Sequence, residues 1–309
     1  KLGILTSFSN LELFKLFSQG SDPFMFYNFL IGKKAKLMKN IQEQMHQEKT
    51  RNFFLNTIKY IHQNNLQTSS TAMSYLYGHI CHYYLDLHTH PYIFYKSGIF
   101  DAKDKNTHQY NGLHQQIEYA IDIYYINQNE TTPPHQFKIH KNLFKTPYFT
   151  KELNDLINNS IGTTYKIKDS HKKYLKSVKH MKAFNYIANY DPQGLKLKLY
   201  KLLDKITSPQ IIKIQELSFK NTYPNINNYL NINHQKWNYP WDKTKTSTKS
   251  FLDLYELAKK DTLNTIQKVT DLLEEKVLST KKLEQIFKDL SYLTGKPCQE
   301  KLKMKYFEF

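Results

Sequence analysis

Between His79 and His90, in the run GHICHYYLDLHTH, the chain places four histidines and one aspartate. Positions i and i+4 of a helix lie one turn apart on the same face, about 40° from each other. His82 and Asp86 stand in that relation, and so do His114 and Glu118. Each pair aims an imidazole nitrogen and a carboxylate oxygen at one point, which is half of a tetrahedral zinc site. His79 sits three residues before His82, close to the same face, and His90 could give either pair a third ligand. The same spacing also suits a plain hydrogen bond, or a carboxylate that orients an imidazole from behind. Spacing alone leaves these readings open.

Other chemistries find less support. A di-iron bundle needs two Glu-x-x-His motifs on separate helices, and only Glu43 to His46 fits. No adjacent His-Asp dipeptide, no Gly-x-Ser-x-Gly and no glycine-rich phosphate loop occurs. The two cysteines, Cys81 and Cys298, make neither a disulfide framework nor a Cys-x-x-Cys motif.

The elements that must carry these residues read as helices. Glycine (9) and proline (10) are scarce in 309 residues, against the needs of a strand-and-turn architecture. Leu11, Phe14, Leu16 and Phe17 predict a first short helix ended by Gly20, and Pro23 suits the first turn of a second. Apolar periodicity predicts one or two helices over 34–63 and further helices over 69–87 and 112–126. Pro91 disfavours helix at His90, which therefore reads as lying just past a helix end. NQNETTPPH, 127–135, is the clearest break. Helical patterns resume at 149–160, 169–190 and 194–206. Residues 219–246 read as a long irregular loop, and two last helices cover about 249–275 and 280–294. Ser250 and Asp253 resemble a capping box at the start of the first of these. The expectation is an all-α multi-helix bundle, with a metal-binding helical core over 1–130 and a helical, lysine-rich remainder over 131–309 packed on it, the alternative being one continuous domain.

The net charge is +17. A basic balance suits nucleic acid, an anionic membrane surface or a phosphorylated substrate. Local lysine clusters at 33–39 and 171–182 read as solvated helix faces. No apolar run is long enough to span a bilayer. KLGILTSFSN is too short for a complete signal peptide, and Lys1 in place of Met leads to the expectation of a trimmed or processed chain. The reading favours the cytoplasm.

Taken in chain order, the Asp of GSDPFMFY, the His of QMHQEKTRNFF, the run YLYGHICHYYLDLHTHPY and the pair in HQQIEYAID resemble the zinc-dependent phospholipase C family. These are the bacterial phosphatidylcholine-hydrolysing enzymes, all-α proteins that share a fold with single-strand-specific zinc nucleases. The resemblance covers about residues 10–126. It implies one zinc held by Asp22, His46, His82 and Asp86, and a second held by His90, His114 and Glu118. His90 follows its aspartate slightly sooner than in the family's phospholipases.

Two departures qualify what the resemblance implies. No histidine precedes His46, so the family's third zinc site is not supported by this chain, and Asp86 would lose its role as a bridge between metals. Pro23 stands where the choline-binding enzymes have an aromatic, so phosphatidylcholine specificity does not carry over. His79 and His88 are additional to the pattern.

The expected activity is zinc-dependent hydrolysis of a phosphodiester by metal-activated water. Asp22 is the candidate catalytic residue, either binding metal or taking the water's proton. The expected partner is a phospholipid or another phosphodiester, with peripheral contact to an anionic membrane. A nuclease acting on single strands and a non-catalytic, metal-stabilised helical binding protein are the alternatives.

Overall fold

A computed structural model describes residues 10–28, 33–129, 132–134, 136–145, 149–188, 194–207, 213–218, 220 and 223–308. Residues 1–9, which hold most of the segment weighed as a signal peptide, lie outside them. So do parts of the predicted break at 127–135 and of the stretch 219–246. The architecture is all-α, as expected, with one two-stranded ribbon among the described residues. No helix is long and apolar enough to cross a membrane among those residues.

Helix α1, Leu11–Phe17, starts at Asn10, whose side chain accepts the N–H groups of Glu12 and Leu13. The second predicted helix is instead one tight 3-10 turn, Asp22–Phe26. Pro23 opens it, where its missing N–H leaves no helical bond unmade, and Phe24 is buried beneath. The stretch 34–63 forms two helices, α2 over Lys33–Gln47 and α3 over Thr50–Gln63. They part at Lys49, whose φ of 55° breaks the helical path.

Helix α4, Ser70–Ser97, runs straight through Pro91. His90 therefore lies inside a helix and not past its end. A proline withdraws the N–H that would bond the carbonyl four residues back, here that of Leu87. That carbonyl faces the turn at Gly295, where a β-carbon would sit 3.0 Å from it. Long-range packing along α4 outweighs the local penalty that the sequence suggests.

Helix α5 is Leu113–Asn129 and α6 is Lys151–Ile157. Helices α7, Ser170–Ile187, and α8, Leu195–Thr207, match the predicted spans closely. The supposed loop at 219–246 contains a short helix, Ile226–Leu230, and a hairpin of β1, Trp237–Tyr239, and β2, Asp242–Ser247. Trp237 pairs with Ser247 and is buried at the hairpin's root. Helix α9, Phe251–Leu273, begins at a reciprocal cap. Asp253 accepts the Ser250 N–H at 2.8 Å, and Ser250 Oγ accepts the Asp253 N–H at 3.1 Å. Helix α10, Thr280–Ile286, ends well short of residue 294.

The chain divides into two compact units. One comprises 1–88, 143–184 and 257–301; the other comprises 89–142, 185–256 and 302–309. In the first, Phe17, Phe53, Phe54, Tyr75, Tyr174 and Phe287 are fully buried, with Phe54 and Phe287 stacked at 4.3 Å. In the second, Tyr92, Ile117, Ala120, Leu230, Trp237 and Phe251 form the core.

Candidate metal centres

In the first unit, one donor atom from each of Asp22, His46 and His82 lies within 4.8 Å of the others. His46 Nε2 is 3.3 Å from Asp22 Oδ1 and 3.3 Å from Asp86 Oδ2. His82 Nε2 is 3.3 Å from Asp86 Oδ2 and 4.0 Å from Asp22 Oδ1. All four predicted donors thus meet, brought together by the turn after α1, the end of α2 and the middle of α4. The histidines and Asp86 are buried, while about a third of the Asp22 side chain, 36 %, faces solvent.

Local packing explains why they meet. Gly78 lets α4 approach α1: a β-carbon there would lie 2.7 Å from the main-chain carbon of Phe17. Gly20 has a φ of 51°, and a β-carbon on it would fall 1.9 Å from Cδ2 of His82. The turn between α1 and Asp22 is thereby laid directly on the His82 ring. Tyr174 on α7 donates its hydroxyl to the Gly20 carbonyl at 2.6 Å and closes the turn from the other side.

Hydrogen bonds behind the donors fix their orientation. His46 Nδ1 lies 2.9 Å from the Gln42 carbonyl, which can only accept, so the proton sits on Nδ1 and the Nε2 lone pair points inward. The Gln42 side chain donates to Asp22 Oδ1 at 3.1 Å. The main-chain carbonyl of His46 accepts the Tyr292 N–H at 2.8 Å, and the Tyr292 ring packs against both imidazoles.

Asp22 and His46 shift each other's protonation. Burial alone would raise Asp22, but His82, His46 and Gln42 together hold its carboxyl well below the ordinary range. Burial would lower His46, yet Asp22 and Asp86 overcome this and raise it to about 10. With no metal, these carboxylates favour a proton on His46; a divalent cation would answer the same demand. His82 Nε2 is buried and makes no hydrogen bond despite its two carboxylate neighbours. A nitrogen in that position, ringed by oxygens that it does not hydrogen-bond, fits a zinc ligand.

In the second unit, donor atoms of His90, His114 and Glu118 lie within 4.8 Å of one another. His114 Nε2 is 3.0 Å from Glu118 Oε1 across one turn of α5, and its ring lies 6.0 Å from that of His90. Ser97 donates its hydroxyl to the Gly98 carbonyl at 2.9 Å, so at 3.3 Å its oxygen is the acceptor for His114 Nδ1. This leaves His114 Nε2 3.0 Å from the Glu118 carboxylate, close enough for the two to share a proton or a metal cation. The group is more open than the first, with the Glu118 side chain 40 % exposed.

The additional histidines lie elsewhere. His79 is buried against Phe17, Phe53 and Tyr75, with Nδ1 2.9 Å from the Tyr75 carbonyl. His88 pairs with Asp261 at 2.8 Å. Burial pushes the Cys81 thiol up to about 12 and that of Cys298 to about 11, away from thiolate character. A cleft of about 570 Å³ is lined by Tyr83, Tyr84, Asp261 and Lys268, among others, and none of the metal-centre donors lines it. The sequence marks Gly20 only as the end of α1, and it carries no signal for the roles of Ser97, Tyr174 and Tyr292. Gln42 left a trace, standing four residues before His46.

These features define a mostly helical protein with two carboxylate–imidazole groups that could each hold a metal ion. The family profile described as zinc dependent phospholipase C matches residues 19–181, and the chain belongs to that family. The matched span contains Asp22, His46, His82, Asp86, His90, His114 and Glu118; it begins at 19 and runs past residue 126, where the sequence resemblance ends. No curated protein and no solved structure matches the chain.

Proposed function

We propose that this protein hydrolyses the phosphodiester of a phospholipid, with zinc held by Asp22, His46, His82 and Asp86 in one site and by His90, His114 and Glu118 in another. The observation that carries this reading is the buried, non-hydrogen-bonded Nε2 of His82 between two carboxylates, together with membership of the family. Bound zinc supplies a Lewis acid that polarises water and phosphoryl oxygens.

The chain's own residues supply position and proton handling. Gln42 and Tyr292 hold the first-site donors, and Ser97 holds those of the second. Asp22 is the one first-site carboxylate that reaches solvent to a substantial degree. Its exposure lets it meet an attacking water, while its neighbours, by keeping it ionised, favour its role as a metal ligand over that of a strong base.

The test is to compare turnover of a soluble phosphodiester, a phospholipid micelle and single-stranded DNA by the zinc-loaded chain. Zinc-dependent cleavage that is fastest on the micelle is the expected result, lost in His82→Ala and Glu118→Ala along with bound zinc. Preference for DNA would transfer the reading to a nuclease. Bound zinc with no turnover of any phosphoester would leave a metal-stabilised binding protein.

A further inference from the structure

Helix α8 has the sequence LKLKLYKLLDKIT, and its most hydrophobic side faces outward. Leu195, Leu199, Leu202 and Ile206 are 66 %, 52 %, 56 % and 73 % exposed. Spaced at i, i+4, i+7 and i+11, they fall within about 60° of one another on a helix of 3.6 residues per turn. The opposite side is the one that packs, and it does so with polar groups. Tyr200 and Asp204 are buried there. Tyr200 donates its hydroxyl to the Ile187 carbonyl at 3.3 Å, and Asp204 accepts the main-chain N–H groups of Ile214 and Gln215 at 2.6 and 3.0 Å. A helix amphipathic toward its own core would be turned the other way.

The charge on this face is one-sided. Lys198, Lys201 and Lys205 are exposed beside the leucine stripe and form no ion pair among the described residues. Asp204 is the helix's one acid, and its carboxylate is committed inward. An aliphatic stripe flanked by lysines that pair with no acid among the described residues is the pattern of a helix that lies in the headgroup layer of an anionic bilayer. A second copy of the chain would bring the same positive charge to the contact, so the charge favours lipid.

We propose that α8 is an interfacial anchor: its four aliphatic side chains sink to the acyl boundary of an anionic phospholipid surface while Lys198, Lys201 and Lys205 engage acidic headgroups. The choice of occupant rests on the proposed lipid substrate. The anchor is tied to the second metal group within the same unit. Asp204 holds the start of the turn Ile214–Leu217. Lys213, just before that turn, donates its N–H to Asn111 Oδ1 at 2.9 Å. A β-carbon on Gly112 would lie 2.9 Å from Glu216 Cγ. Asn111 and Gly112 lead directly into α5, which carries His114 and Glu118. A docked α8 would therefore hold that group beside the lipid surface.

The experiment is flotation of the zinc-loaded full chain with vesicles of phosphatidylcholine alone and of phosphatidylcholine mixed with phosphatidylserine, over a range of salt. The chain is expected to bind the mixed vesicles and to release them as salt rises. A Leu199→Glu/Leu202→Glu variant is expected to bind at least about tenfold more weakly. A Lys198→Gln/Lys201→Gln/Lys205→Gln variant is expected to lose the preference for phosphatidylserine. Both should keep the parent's circular dichroism and its turnover of a soluble phosphodiester. The proposal is overturned if the parent chain fails to bind, if the leucine variant binds as well as the parent, or if that variant converts a dimer to a monomer. Failure of the enzymatic reading is seen separately, as intact vesicle binding with no hydrolysis of any phosphodiester.

Discussion

A β-carbon on Gly20 would lie 1.9 Å from Cδ2 of His82, so the turn that delivers Asp22 is built against the imidazole proposed to share a metal with it. Gly20→Ala cannot be accommodated without moving that ring. Zinc affinity is expected to fall by about ten- to a hundredfold, with about 1–3 kcal/mol of stability lost to the left-handed backbone and the clash. Gly194→Ala is the control. Gly194 has a comparable φ of 67° but nothing within 4 Å of a β-carbon, so it should show the strain without the loss of zinc. Competition against a chromophoric chelator, with denaturant melts on the same samples, checks both.

Gln42 acts on two donors at once. Its carbonyl holds His46 Nδ1 and its side chain holds Asp22. Gln42→Ala keeps the first bond and removes the second, so any change in metal binding reports on Asp22. An increase of about tenfold in the zinc dissociation constant is expected, with little change in stability because the side chain is partly solvated. Equal zinc affinity in this variant would mean that Asp22 needs no orienting partner.

Much of the frame was legible because its causes are local. The stripe Phe53, Phe54, Ile58 and Ile61, the cap of Ser250 and Asp253, and the i, i+4 pairs on α4 and α5 each depend on residues less than three turns apart. Pro91 misled because a local rule lost to packing, with the Leu87 carbonyl facing a turn two hundred residues later in the chain. The positions of Tyr174 behind Gly20 and of Tyr292 behind His46 follow from the folded arrangement alone, and no periodicity announces them. The α8 stripe shows a related limit: periodicity located the helix but could not say that its apolar side faces outward.

His88 and His90 stand two residues apart on α4 and should behave oppositely. His88 is engaged with Asp261, whereas His90 shares a donor cluster with His114 and Glu118. His88→Gln is expected to keep the parent's zinc stoichiometry, and His90→Gln to lose one equivalent. Elemental analysis of the purified variants decides the matter. Loss of zinc from the His88 variant would mean that the donor set has been drawn in the wrong place.

His79 gives the pH response a defined sign. Its burial against Phe17, Phe53 and Tyr75 lowers it to about 3 from an ordinary 6.5, and the hydrogen bond to the Tyr75 carbonyl only partly opposes this. Between those values the unfolded chain holds a proton that the folded chain does not, so stability rises with pH in that window. The contribution is therefore intact above pH 6.5 and is lost as pH falls below it, at up to about 1.4 kcal/mol per pH unit. His79→Phe removes the titration while keeping an aromatic ring in an aromatic cage. Parent and variant lose metal over the same acid range, so the difference between their denaturant midpoints isolates this residue. The variant should gain on the parent steadily as the pH is lowered from 6.5, and parallel curves through that range would show that His79 takes up its proton without leaving the core.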